Sequence, residues 1–289
     1  MANLRAARTL PLLALAVCAA FGVFVGCSDY AEETSGVGRD DAATSDGAGG
    51  SGGDASVAKD AGLTADTGVT TDASDGGLVS PIPTSQNVVT FGERPGTDQH
   101  GVTTDTVLHA AVLERDFNYG KLSVLVADSD PGAEIVTLLR FDLRAIPTTR
   151  VVTSATLTLA TTPDEGCNLN GKASIFRVLE DWDEGTSTGG PGATNFSERK
   201  PGVPWLGVGA TGSSIGTNPS QTMTFPGLDS EFNATLTELV AIWVSSPDTN
   251  HGILLKVPPG GDGVCLYSSN AIARPERRPL LEVTLAPVD

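Results

Sequence analysis

Residues 152–162, "VTSATLTLATT", alternate with a period of two. Ala155, Leu157 and Leu159 fall on one side, and Ser154, Thr156 and Thr158 on the other. Successive side chains of an extended chain point to opposite faces, so this pattern demands a strand with one buried and one wet face. Residues 134–143, "EIVTLLRFDL", repeat the device: Ile135, Leu139, Phe141 and Leu143 face one way, Arg140 and Asp142 the other. "KLSVLVAD", "ASIFRVL", "GILLKV", "VCLYSS" and "PLLEVTL" read as further strands bounded by Gly, Pro, Asn and Asp. One segment is helical, because "ATLTELVAIWV" sets Leu236, Leu239, Val240 and Trp243 at i, i+3, i+4 and i+7. Many short strands with one short helix predict an all-β, jelly-roll β-sandwich. About 200 residues suffice for one such domain with a substantial core.

The pattern begins only near residue 86. Residues 27–85 are Asp, Ala, Gly, Ser and Thr with almost no large apolar side chain, as in "DDAATSDGAGGSGGDASVAKDAG". Such a tract cannot bury enough surface to offset the entropy of ordering and is expected to be a disordered acidic linker. As a flexible coil it reaches on the order of 40 Å. Its spaced Asp and Gly residues form no EF-hand string. The domain is therefore expected at 86–289.

Residues 1–26 read as an export signal. Arg5 and Arg8 precede the apolar run "LPLLALAVCAAFGVFVG", which is nearly long enough to span a bilayer, so an uncleaved anchor is the alternative reading. "FVGC" resembles a bacterial lipobox, with Phe24 where Leu is usual. The resemblance implies that Cys27 is lipidated and that acyl chains hold the mature N-terminus in a membrane, each buried methylene adding about 0.8 kcal/mol. Ser28 at the next position goes with outer-membrane sorting in Gram-negative bacteria. The expectation is an exported protein, lipid-anchored at the cell envelope or surface, touching the membrane only through that anchor.

Of the four cysteines, Cys167 and Cys265 lie in the domain. An oxidising compartment favours one disulfide between them, which would close a loop of about 98 residues and stabilise by up to about 4.7 kcal/mol in the chain-entropy model. Two unpaired buried thiols are the alternative. Neither cysteine has a nearby His or Cys, which disfavours a metal site.

Two motifs invite catalytic readings. Gly185-Thr186-Ser187-Thr188-Gly189 spells G-x-S-x-G, but a nucleophile elbow needs a helix after the serine, and "GGPGATNFSERKPGVPW" cannot form one. Gly207-Val208-Gly209-Ala210-Thr211-Gly212 spells G-x-G-x-x-G without the strand and helix of a dinucleotide site. Asp181, Asp183 and Glu184 surround Trp182. Glycoside chemistry needs two carboxyl groups across a bond, whereas Asp183 and Glu184 are neighbours in a turn and point apart. Carboxylates in turns more often bond backbone N–H groups. The three are also the candidates for a structural calcium ion, which loop carbonyls and carboxylates suit. No other cofactor is expected, and no enzymatic activity.

Strings along residues 100–289 then fall into a known order: "DFNYG", "LLRFDLRAIP", "VTSATLTLA", "RVLEDWDEGT", "LVAIWVSSPDTNHGILLK" and "SSNAIARPERRPLLEVTL". The chain resembles the DNRLRE domain, also called the disaggregatase-related repeat and grouped with carbohydrate-binding modules of family 96. The resemblance implies a β-jelly roll in a secreted protein and polysaccharide binding without catalysis. Asn195 and Phe196 stand where the family often carries a tryptophan. No catalytic domain accompanies the module, and the linker and anchor take its place.

Sugar sites combine exposed aromatics with polar groups for hydroxyls. Trp182 and Trp243 sit in patterned positions and read as core. Trp205, in the loop "GVPWLG", is the stacking candidate, with Tyr119 second. The formal net charge is -17; the linker holds eleven acidic and two basic residues and the signal two basic ones, which leaves -10 for the domain. That balance excludes nucleic acid, whose phosphates need a basic footprint. An acidic polysaccharide would need local positive charge, for which Arg199, Lys200, Arg274, Arg277 and Arg278 are available; Arg278 occupies the family's R-P position and has a structural alternative. The other function class is an adhesion or structural surface protein with no sugar pocket.

Overall fold

The computed structural model describes residues 80–98, 100–164 and 171–288. The export signal, Cys27, nearly all of the linker and Cys167 lie outside the described residues. The described residues form an all-β domain with one α-helix among them, α1 (Thr237–Ser245). One antiparallel sheet orders β1 (Val88–Phe91), β13 (Leu280–Leu285), β5 (Val152–Ala160) and β10 (Glu231–Thr235). The other orders β2 (Thr103–His109), β4 (Ile135–Phe141), β11 (Ile253–Lys256), β6 (Lys172–Arg177) and β9 (Gln221–Thr224). The chain crosses from sheet to sheet at β1–β2, β4–β5, β5–β6, β9–β10 and β10–β11, as in a jelly roll. Two further antiparallel pairs are β3 (Val124–Ala127) with β12 (Val264–Tyr267), and β7 (Glu198–Lys200) with β8 (Val203–Pro204).

The core between the sheets follows from the alternation. Ala155, Leu157 and Leu159 of β5 meet Leu139 and Phe141 of β4 and Leu255 of β11. α1 closes this core with Leu239, Val240, Trp243 and Val244. The packed chain begins earlier than composition indicates. Ile82, inside the stretch assigned to linker, is 2% exposed, and its N–H bonds the Ala145 carbonyl at 2.9 Å.

The five-stranded sheet is also covered on its outer face. Val136 and Leu138 of β4 and Leu254 of β11 are buried there beneath Trp182, Trp205 and Ala210, with Phe196 and Ile215 packed alongside. The long excursion between β6 and β9 supplies this cover. Trp182 is thus buried as expected, at 0% exposure, but in this outer cluster and not between the sheets. Arg140, read as facing solvent, lies beside the cover with its guanidinium 5.0 Å from the Trp182 ring centroid.

Candidate functional site

The corner from Glu184 to Thr194 is tied together by the Asn118 side chain. Asn118 is fully buried; its amide donates to the Glu184 carbonyl at 2.7 Å and the Thr194 carbonyl at 2.8 Å. Its Oδ1 accepts the N–H groups of Gly120 at 3.4 Å and Ser187 at 3.1 Å. A Cβ on Gly120 would collide with the Glu184 carbonyl, and Gly185 has φ +81°, so both positions favour glycine. The N-Y-G and E-G-T strings are therefore two halves of one packed corner. Ser187 lies in irregular chain, with its Oγ accepting the Gly189 N–H at 3.3 Å. No helix follows it, as no helix follows Gly207–Gly212 beyond a single 3-10 turn.

The three carboxylates around Trp182 are engaged by the protein itself. Asp181 takes Arg140 at 2.9 Å and Lys200 at 2.6 Å. Burial pushes the Asp181 carboxyl up, but Lys200 and Arg140 outweigh it and hold it below the usual range. Asp183 lies 3.6 Å from the same lysine. Glu184 accepts the Asp105 N–H at 3.1 Å and pairs with Lys121 at 3.1 Å. Among the described residues no group of three or more His, Cys, Asp or Glu is placed to hold a metal ion.

Trp205 is not a stacking platform. It is 4% exposed, and its Nε1 donates to the Asn195 carbonyl at 2.9 Å. The Pro- and Gly-rich loop that predicted exposure folds back over β4 and β11, and burying the indole there removes far more apolar surface from water than displaying it. Asn195 accepts the Ser197 and Glu198 N–H groups at 2.8 Å each, a turn-forming role. Phe196 packs under Gly209, with Arg115 over its ring. Tyr119 is half-buried and donates to Glu114 at 2.9 Å; burial and that carboxylate raise its pKa.

The expected cationic clusters are neutralised. Arg199 pairs with Glu180 at 3.3 Å, and Lys200 with Asp181. Arg274 and Arg277 lie 3.6 and 3.5 Å from Asp229, and Arg274 Nε donates to Glu276 at 2.7 Å. Arg278 is structural, donating to the Ala271 and Glu93 carbonyls at 3.0 and 3.1 Å.

The structure presents instead a cleft of about 330 Å³ where the end of β4 meets β2 and the chain after α1. Arg140, Asp142, Arg144, Trp243 and Asn250 line it, over an apolar wall that includes Phe141. Arg144 forks onto Asp142, Nε to Oδ1 at 2.9 Å and Nη2 to Oδ2 at 2.6 Å. Burial alone would raise the Asp142 carboxyl, but these bonds prevail and lower it, so it is ionised at neutral pH. Asn250 donates to the Phe141 carbonyl at 2.8 Å and fixes the cleft's far side. Trp243 is 4% exposed, and among the described residues its buried Nε1 has no partner, so the indole serves as wall. Sequence reasoning passed over this site because three distant stretches build it. The one local signal is the spacing of Asp142 and Arg144, two apart, which lets the Asp142 carboxylate accept the Arg144 backbone N–H at 3.1 Å as the chain turns after β4.

Asp105 is the other unusual group. It lies on β2, fully buried, and accepts the Ser269 N–H at 2.6 Å. Burial pushes its pKa up to about 7, and the nearby Glu184 and Glu93 carboxylates add to the rise.

Cys265, in β12, is disulfide-bonded. Among the described residues no helix is long and apolar enough to cross a membrane. No protein-family model matches this chain, and no curated protein matches it at a significant level.

Proposed function

We propose that the domain is a non-catalytic polysaccharide-binding module of the DNRLRE type, displayed on an exported protein that is lipid-anchored through Cys27. The single observation that carries this reading is the Asp142–Arg144–Asn250 cleft, which joins an apolar wall to charged and polar groups. That combination suits a sugar, with its C–H faces and hydroxyls. Its volume lies at the low end of small-molecule pockets, about 300–1,000 Å³, and suits one or two sugar units of a longer chain. Binding without turnover is supported by the carboxylates: Asp142, Asp181 and Glu184 each hold a cation of the protein and are spoken for as acid or base. We further propose that Cys167 is the partner of Cys265, since Cys18 and Cys27 lie in the export signal and at its end.

An adhesion role draws on a different observation. Val112, Leu113 and Leu206 are exposed apolar side chains on the loops 111–117 and 205–211. Titration calorimetry against a panel of purified polysaccharides separates the two readings. Saturable binding that is weakened by Arg144→Ala supports the glycan module. Binding unaffected by Arg144→Ala moves the site away from the cleft. Release of reducing ends from any polysaccharide in the panel would overturn the non-catalytic reading.

A further inference from the structure

We infer that the buried Asp105 carboxyl is a proton-controlled latch: protonated, it keeps the corner 184–194 closed against the edge strand β2, and ionised, it lets that corner open. The inference is independent of the glycan reading. It stands on how four segments meet at this side chain.

β2 is the outermost strand of its sheet. Two of its backbone donors are taken by carboxylates from elsewhere in the chain: the Thr103 N–H by Glu93 Oε1 and the Asp105 N–H by Glu184 Oε1, both at 3.1 Å. Such bonds blunt an open strand edge. The second of them also moors the corner, because Glu184 is the corner's first residue. Asp105 Oδ2 in turn accepts the Ser269 N–H at 2.6 Å. The turn that carries Ser269 is tied to the N-Y-G segment. Ser268 Oγ donates to the Leu122 carbonyl at 2.6 Å, and Asn270 Nδ2 to the Gly120 carbonyl at 3.1 Å. Gly120 packs on the Glu184 backbone. Asp105, 1% exposed, therefore lies at the junction of all these segments, and parting the corner from β2 admits water to it.

Charge decides which state of the carboxyl the closed corner tolerates. Two carboxylates act on Asp105: Glu184 from the corner and Glu93 from the β1–β2 connection. Two cations answer them. Lys121, next after Gly120, is 3.1 Å from Glu184. Arg278, just before β13, acts on the Glu93 carboxylate and donates to the Glu93 carbonyl at 3.1 Å. Arg94 is turned to Glu231 at 2.8 Å. The 268–271 turn and β3 bring no charged side chain. With Asp105 protonated, the cluster balances. Ionised, it holds a third negative charge, buried and facing two like charges. The closed corner therefore holds the proton more tightly than the open one, in which Asp105 meets water. Burial raises the closed pKa from 3.8 to about 7. The preference for the closed corner is complete below about pH 4, weakens by about tenfold per pH unit above that, and levels off above about pH 7.

Amide hydrogen exchange of the folded protein, followed by NMR from about pH 4.5 to about pH 8.5 and corrected for the intrinsic rate, tests this. The reporters are Asp105, whose N–H bonds Glu184, and Ser187 and Gly189, whose N–H groups bond Asn118. Leu157 and Leu159, in β5 and paired on both sides, report global unfolding. Protection of the three corner reporters should fall by about tenfold per pH unit up to about pH 6.5 and then flatten, while staying below that of Leu157 and Leu159 throughout. Asp105→Asn, which keeps an acceptor and carries no charge, should make their protection independent of pH within about threefold. Glu184→Gln keeps the acceptor for the Asp105 N–H and removes one repelling charge, so the plateau should begin at a lower pH. Circular dichroism of both variants checks that the sandwich is intact. Protection that is flat with pH in the unaltered protein overturns the latch, and so does an undiminished fall in Asp105→Asn. Corner and β5 amides that exchange at one common rate overturn it too, because the opening is then global.

Discussion

The two sheets of the sandwich make opposite use of their outer faces. The outer face of β1, β13, β5 and β10 carries Thr90, Glu282, Ser154, Thr156 and Asn233, none of them buried. The outer face of the five-stranded sheet is roofed by the β6–β9 excursion, with Trp182 and Trp205 lying on Val136, Leu138 and Leu254. The first sheet is therefore half-buried and its sequence alternates cleanly. The second is covered on both faces along β4 and β11, and its inner strand β4 reads as a nearly continuous apolar run, as strands covered on both faces do. The roof also creates the cleft's neighbourhood. Arg140 projects from β4 at its margin and is held between Thr104, Asp181 and the Trp182 ring.

If the roof is a true second core, truncating its centre should cost as much as truncating the first. Trp182→Ala removes a fully buried indole and its 2.8 Å bond to the His251 carbonyl. The expected loss is about 3–5 kcal/mol, against about 2–5 kcal/mol for Leu157→Ala between the sheets. Urea unfolding of the two variants measures both. A Trp182→Ala loss below about 1 kcal/mol would reduce the roof to a loose flap.

Asp105 sharpens the comparison at the edge strand β2. Its folded pKa of about 7 exceeds the usual value of 3.8, so the folded state holds the proton more tightly than the unfolded chain. The stabilisation from this group is complete below about pH 4 and is lost as pH rises through about 7. Asp105→Asn keeps an acceptor for the Ser269 N–H and carries no charge. It should raise stability at pH 8 by on the order of a few kcal/mol and change little at pH 4. Urea midpoints at the two pH values give the answer, and equal shifts at both would place the effect outside the carboxyl.

Asn118→Ala leaves the Glu184 and Thr194 carbonyls and two N–H groups short of a partner. A cost of about 1–3 kcal/mol is expected, with faster amide hydrogen exchange confined to residues 184–194. Thr156→Ala, on the wet face of the other sheet, should stay within about 0.5 kcal/mol of wild type by thermal unfolding. A large effect there would mean that this face too is covered.

Legibility in the sequence tracked burial on one side versus two. The inward residues of β5 and the helical stripe Leu239, Val240 and Trp243 were readable because each element has one apolar face and one polar face. On β4 the inward set Leu139 and Phe141 was readable, and Val136 and Leu138 on the other face hinted at a second cover, but nothing local said which segment would supply it. Trp205 misled for the same reason. Its flanking Pro and Gly residues specify a loop, and whether a loop lies in solvent or against a sheet depends on what it meets.

The sequence by itself determined the all-β class, the single helix and the shift from low-complexity tract to domain, because those follow from composition and from periods of two and 3.6 along the chain. Only the tertiary structure decided which aromatics are buried, which charges are paired and where a ligand could sit. Those outcomes depend on contacts between segments as far apart as Asn118 and Thr194, or Asp142 and Asn250, and no local pattern encodes such distances.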